Sequence, residues 1–164
     1  MYIQLLALDV DGVLTDGHLT YTSEGEELKA FNTLDGLGLT ALRQAGVQLA
    51  IITGRRSAIV ERRAKELHID HLHMGCGNKT QALMEICQEQ GLDLKRVAYM
   101  GDDLNDLGPL SHVGLALAPA NACDEAKALA SYITTKAGGQ GAVRQAVEYI
   151  LQAEGTWEAI VDSY

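Results

Sequence analysis

Asp9 and Asp11 stand one residue apart where the apolar run Leu5 to Leu8 gives way to Gly12. Two carboxylates held this close repel each other unless a cation or a proton lies between them. Mg²⁺, a hard ion that prefers oxygen ligands, is the simplest cation for the pair. The plain alternative is a turn in which both aspartates cap backbone amides. Further on, Thr53-Gly54 closes the apolar run Val47 to Ile52, and Gly101-Asp102-Asp103-x-x-Asp106 closes Val97 to Met100. Lys79 opens a helical pattern after the loop Gly75-Cys76-Gly77. Taken singly, Thr53, Asp102 and Asp106 read as helix caps and Lys79 as a solvated charge. Taken together they supply a carboxylate nucleophile, a second carboxyl for proton transfer, an oxygen-rich metal site, a hydroxyl and amide donor, and a lysine. That is the equipment of phosphoryl transfer. The chain has no Walker-type glycine loop, so a nucleoside triphosphate is not the obvious ligand.

These residues meet only if the elements between them bring them together. Short apolar runs bounded by turn residues read as buried strands near Leu5, Val47, Leu72, Val97, Val113 and Tyr132. Helical spacing appears at Leu37, Leu39, Leu42 and Ala45, at Ile59, Val60, Ala64 and Leu67, over Lys79 to Gln90, over Ala122 to Ala130 and over Ala142 to Gln152. Strands alternating with helices predict an α/β fold: a Rossmann-like three-layer α/β/α core with a mostly parallel sheet. In such a sheet every strand's carboxyl end points the same way, so the polar strand ends converge on one edge. His18 to Tyr21 and Leu28 to Asn32, around Gly25, read as a β-hairpin beside the acidic loop, either a flap over it or a plain surface hairpin.

At 164 residues the chain is expected to form one domain, residues 1–164, with the hairpin at about 18–32 and a tail at about 153–164. A net charge of −9 without a basic stripe argues against nucleic acid. It also means that an anionic substrate needs positive charge concentrated locally, by metal or by a few Lys and Arg. Cys76, Cys87 and Cys123 are odd in number and form no C-x-x-C, which suits free thiols in a reducing compartment. No apolar run approaches the ~20 residues of a membrane span. The expectation is a cytoplasmic protein with no membrane partner.

The order Asp9-Val10-Asp11-Gly12-Val13, Thr53-Gly54, Lys79 and Gly101-Asp102-Asp103-x-x-Asp106 resembles the four motifs of the haloacid dehalogenase superfamily. Asp11 to Gly17, Lys29-x-Phe31-x-x-x-Asp35-Gly36, Thr53-Gly54-Arg55 and Gly138-Gly139-x-Gly141-Ala142-Val143-Arg144 are similar to one branch of it, the 3-deoxy-D-manno-octulosonate 8-phosphate phosphatases. The resemblance implies a Mg²⁺-dependent phosphatase acting in lipopolysaccharide precursor synthesis on a phosphorylated keto-acid sugar. It implies that Asp9 attacks phosphorus and that Asp11 protonates the leaving oxygen and then activates water. It places the metal on Asp9, the Val10 carbonyl and Asp102, with Asp11 a lesser metal candidate. Thr53, the Gly54 amide and Lys79 would hold phosphoryl oxygens, and Asp103 and Asp106 would support the loop or bind metal-bound water. Phosphatases of nine-carbon sugar-acid 9-phosphates share these motifs and are the alternative within enzymes. A non-catalytic phosphosugar-binding subunit is the alternative outside them, weakened because every motif residue is intact.

The stretches between the motifs are too short for the cap domain that many relatives carry. Arg55 and Arg63 are the candidates for gripping a sugar-acid carboxylate, since a guanidinium pairs with one bidentately; Arg56 and Arg62 read as surface charges. The resemblance implies a homotetramer in which a neighbour closes each site. The tail, with Trp157, Ile160 and Val161, is apolar enough to be expected to dock on such a neighbour.

Overall fold

The computed structural model describes residues 2–164. In chain order the elements are β1 (Leu5–Leu8), the hairpin β2 (Thr20–Tyr21) and β3 (Glu27–Leu28), α1 (Thr33–Gln44), β4 (Gln48–Thr53), α2 (Ala58–Glu66), β5 (His71–Met74), α3 (Lys79–Gln90), β6 (Val97–Met100), α4 (Leu107–His112), β7 (Leu115–Ala118), α5 (Asp124–Leu129), β8 (Tyr132–Ile133), α6 (Ala142–Ala153) and α7 (Trp157–Val161). Short 3₁₀ turns precede β6 and α4.

Six strands form one sheet in the order β5-β4-β1-β6-β7-β8. Every pairing within it is parallel. The chain winds one way from β1 through β4 to β5, then crosses back and winds the other way through β6, β7 and β8. The winding reverses between β1 and β6, the place where open α/β sheets bind ligands. Asp9 follows β1 and Asp102 follows β6, so the acidic motifs flank that crevice.

The central strands β1, β6 and β7 are apolar and buried on both faces because helices cover both. Leu6 and Leu8 face Leu39, Leu42, Val60, Val143 and Val147 from α1, α2 and α6. Leu5 and Ala7 point the opposite way, toward Leu83, Ile86, Leu110 and Ala126 from α3, α4 and α5. This alternation follows from the two-residue side-chain period of a strand. Local signals set the helix ends. The side chains of Asn32, Ser57 and Asn78 cap α1, α2 and α3, and Gly91 ends α3 in a left-handed conformation. Helix α6 has no side-chain cap of its own. The buried Asp35 of α1 serves it instead, its carboxylate accepting from the Arg144 amide at 2.9 Å.

The structure differs from the sequence reading in three elements. The hairpin exists, but its strands are only two residues each. Helix α4 is additional to the helices read from spacing, with Gly108-Pro109 in its first turn. Proline is tolerated there because the first-turn amides of a helix have no intrahelical partner. The tail forms a short helix. Helix α7 folds back so that Trp157 and Ile160 pack against the domain's own core, with the Arg144 guanidinium 5.4 Å from the Trp157 ring. None of the described helices is long and apolar enough to cross a membrane.

Candidate active site

The loop after β1 is a tight turn. The Val10 carbonyl accepts from the amides of Val13, Leu14 and Thr15 at 2.9–3.1 Å. That corrects one expectation: a carbonyl engaged by three amides is not a free metal donor. Among the described residues the Asp11 carbonyl, by contrast, accepts no hydrogen bond. Gly12 has φ +88°, and a Cβ there would lie 2.0 Å from Asp102 Oδ2. Glycine at this point lets the β1 and β6 loops touch. The Gly138 turn packs beneath them, where a Cβ would lie 2.0 Å from the Gly12 carbonyl oxygen. Asn121 joins the two, donating to the Gly12 carbonyl at 3.0 Å and accepting from the Gly138 amide at 2.7 Å.

Lys79 enters from the first turn of α3. Its ammonium lies 2.8 Å from Asp9 and 2.8 Å from Asp106. Asp106 is fully buried and is the anchor of the site. One of its oxygens accepts from Lys79 and from the Tyr99 hydroxyl at 2.6 Å; the other accepts from the amides of Asp102 and Asp103 at 3.0 and 3.3 Å. Asp103 caps the following turn by accepting from the Leu104 amide. Both therefore support the loop, Asp106 far more extensively than its spacing suggested.

Asp9, Asp102 and Asp106 each offer a carboxylate oxygen within 4.8 Å of the others. Asp106 spends both oxygens on four donors, which leaves Asp9 and Asp102 as the available pair. Asp102 Oδ1 is buried with no hydrogen-bond partner. Burial, then the charge of Asp106, pushes Asp9 up from its ordinary 3.8 to about 7, against the pull of Lys79. Burial, then Asp106 and Asp103, pushes Asp102 to about 7 as well. Oxygen donors that are costly to ionise and carry an orphaned buried oxygen fit a hard divalent cation. For Lys79, burial works against the charge but is outweighed by Asp9 and Asp106, so its pKa is raised and it stays an ammonium.

These groups open onto a cavity of about 240 Å³ lined by Asp9, Asp11, Thr53, Gly54, Arg55 and Asp102, together with Gly17, Asp103 and Asn105. The structure thus brings together almost all the residues singled out from sequence. Arg63 is the exception. It lies on α2 with its guanidinium 5.5 Å from the Phe31 ring and 3.4 Å from Glu66, and it does not line this cavity. Arg55 does line it, while donating to the Tyr21 hydroxyl at 3.0 Å and to Glu27 at 3.3 Å.

A family model described as haloacid dehalogenase-like hydrolase matches residues 72–147. The 3-deoxy-D-manno-octulosonate 8-phosphate phosphatase of Escherichia coli K12 is 44% identical over 153 residues, which is 93% of this chain and 81% of that protein. The crystal structure of the Moraxella catarrhalis phosphatase of that name, in complex with magnesium ion, phosphate ion and KDO, is 49% identical with a TM-score of 0.96, covering 98% of this chain and 92% of that one. The chain belongs to this phosphatase family of the haloacid dehalogenase superfamily. A cobalt-bound family structure from Haemophilus influenzae is also similar, with 37% identity and a TM-score of 0.91 over 94% of this chain and 91% of that one.

Within this family member, sequence reasoning missed Tyr99 and the contacts of Lys29. Tyr99 had one available signal: a tyrosine inside a wholly buried strand needs a partner for its hydroxyl. Lys29 drew notice only as part of a pattern. Its ammonium lies 2.7 Å from Asp11 Oδ1 and 3.2 Å from Glu27.

Proposed function

We propose that this chain hydrolyses 3-deoxy-D-manno-octulosonate 8-phosphate to the free keto-acid sugar and phosphate. An Asp9 carboxylate oxygen attacks phosphorus, the bond from phosphorus to the sugar oxygen breaks, and that oxygen takes a proton from Asp11. The product on the protein is an aspartyl-phosphate. Water then attacks the same phosphorus and gives its proton to Asp11, phosphate leaves, and Asp9 is restored. Nucleophilic catalysis of this kind divides one difficult displacement into two easier ones.

Thr53, the Gly54 amide and Lys79 receive the phosphoryl oxygens, and Arg55 receives the sugar carboxylate. Lys79 also holds Asp9 in place through their 2.8 Å contact. Mg²⁺, when bound by Asp9 and Asp102, supplies the positive charge that offsets the growing negative charge on the transferred group. The reading places the enzyme in the cytoplasm, in lipopolysaccharide precursor synthesis. It also places it in a homotetramer, a view supported by the exposed Leu19, Tyr21 and Leu28 of the hairpin.

The observation that carries the reading is the convergence of Asp9, Asp11 and Asp102 on one cavity at the β1–β6 reversal. The test is phosphate release, in Mg²⁺, from the eight-carbon 8-phosphate, a nine-carbon sugar-acid 9-phosphate and ordinary hexose phosphates. The highest kcat/KM is expected on the eight-carbon substrate. Preference for the nine-carbon ester would move the assignment to the neighbouring specificity, and no release from any ester would favour a binding subunit.

A further inference from the structure

We propose that Lys29 is a positioning residue for Asp11, fixing which of its two carboxylate oxygens is presented to the leaving group. The inference rests on the reading of Asp11 as the proton carrier. It concerns a side chain that the mechanism above does not use.

Lys29 follows β3 in a hairpin whose other residues are largely exposed, yet its own side chain is only 1% exposed. An ammonium is strongly hydrated and is rarely buried without partners. Lys29 has two, and both are carboxylates. It donates to Asp11 Oδ1 at 2.7 Å and lies 3.2 Å from Glu27 Oε1. Asp11 Oδ1 is thereby occupied. Among the described residues no side chain is hydrogen-bonded to Asp11 Oδ2; Arg55 Nε lies 4.0 Å from it, beyond hydrogen-bond reach. The two oxygens of one carboxyl are therefore given different tasks. Oδ1 is tied to the hairpin, and Oδ2 is left free on a carboxyl that lines the cavity.

Glu27 extends the tie. Besides Lys29, it accepts from the Ser57 hydroxyl at 3.0 Å and from Arg55 at 3.3 Å. Ser57 caps α2 and Arg55 follows the Thr53-Gly54 turn. The hairpin thus connects the proton carrier, through Lys29 and Glu27, to the cap of α2 and to the loop after Thr53-Gly54. Proton transfer needs heavy atoms within about 2.6–3.2 Å of each other, and a misplacement of about 1 Å can cost on the order of 100-fold in rate. Two charged contacts that orient the Asp11 carboxyl are suited to hold that tolerance. A hairpin pinned merely for stability would affect every substrate alike.

The experiment compares kcat/KM of the Mg²⁺-loaded enzyme for the sugar-acid phosphate and for p-nitrophenyl phosphate. The nitrophenolate leaves without needing a proton, so its kcat/KM does not depend on where Asp11 sits. Lys29→Met is expected to lower kcat/KM for the sugar phosphate about 10- to 100-fold, while the aryl phosphate changes by less than about threefold. Lys29→Gln, which still donates to Asp11, is expected to fall between Lys29→Met and the parent, and carries the comparison if Lys29→Met does not fold. Glu27→Gln is expected to move the sugar phosphate in the same direction by a smaller factor. Equal losses on both substrates, or no loss on either, would overturn the positioning role. A parent enzyme inactive on both would overturn the phosphatase reading itself and this inference with it.

Discussion

Asp106→Asn is the substitution whose cost the structure specifies most closely. The Asp106 carboxylate is fully buried and accepts four hydrogen bonds, from Lys79, Tyr99 and the amides of Asp102 and Asp103. Asparagine has nearly the same shape but keeps only one acceptor oxygen. If that oxygen faces Lys79 and Tyr99, its NH₂ group faces two backbone amides, donor against donor. Removing the anion also leaves Lys79 with Asp9 as its remaining carboxylate partner. Breaking a buried pair costs about 3–5 kcal/mol, and each orphaned buried donor about 1–3 kcal/mol. One effect opposes this: the Asp106 charge works against ionising both Asp9 and Asp102, and its loss relieves them. The expected net loss is therefore near the lower end, about 3 kcal/mol. For a chain of this size that is a fall in Tm of about 6–12 °C.

The assay is urea unfolding in EDTA, followed by far-UV circular dichroism for the whole fold and by the fluorescence of Trp157. An unchanged slope with denaturant would show that the variant still unfolds in one cooperative step. Tyr99→Phe supplies the second arm. Alone it removes one hydrogen bond to a charged group, worth about 1.5–3 kcal/mol. In the Asp106→Asn background its cost should shrink, because the charge it served is gone, so the two losses should not add. A loss below about 1 kcal/mol for Asp106→Asn, or strict additivity with Tyr99→Phe, would refute the view of Asp106 as the anchor.

Two further outcomes follow from the same geometry. Asp9 and Asp102 have folded-state pKa values raised from 3.8 to about 7, so in metal-free protein their stabilising contribution is complete below about pH 4 and is lost as pH rises through about 7. Protons and Mg²⁺ compete for the same oxygens, so the rise in Tm on adding Mg²⁺ to chelated enzyme should be larger at about pH 8 than at about pH 6; an equal rise at both would contradict it. Because α7 covers its own domain's core, deleting residues after Gly155 should lower Tm by several degrees. A truncated chain that melts like the parent would show that Trp157 and Ile160 contribute nothing to this fold.

The strands and the convergence of their ends were legible because they depend on short-range patterns. Four consecutive apolar residues ending in Asp-x-Asp-Gly read the same way in any surrounding. The anchoring role of Asp106 was not legible, since its value lies in Tyr99 seven residues before it and Lys79 twenty-seven residues away. The engagement of the Val10 carbonyl depends on turn geometry that side-chain types do not encode. Arg55 and Arg63 carry the same guanidinium, yet one precedes α2 in a loop beside the cavity and the other lies on the helix against Phe31. The start of α2 separates them, and one residue of uncertainty in where it lies turns a helix face by about 100°. The contacts of Lys29 were hidden because β2 and β3 contain two residues each, too few to show a strand period.

The central claim is that Asp9 carries the phosphoryl group. Its most direct test is to mix enzyme, Mg²⁺ and the eight-carbon sugar-acid phosphate, quench in acid within the first turnovers, and measure the intact mass and peptide map. A fraction of the parent protein should carry one phosphoryl group on the peptide containing Asp9. Asp9→Asn, folded as judged by circular dichroism, should carry none and release no phosphate, because an amide is a poor nucleophile and a poor metal ligand. Near-parental phosphate release by folded Asp9→Asn, or a phosphoryl group mapped to another residue, would contradict the account.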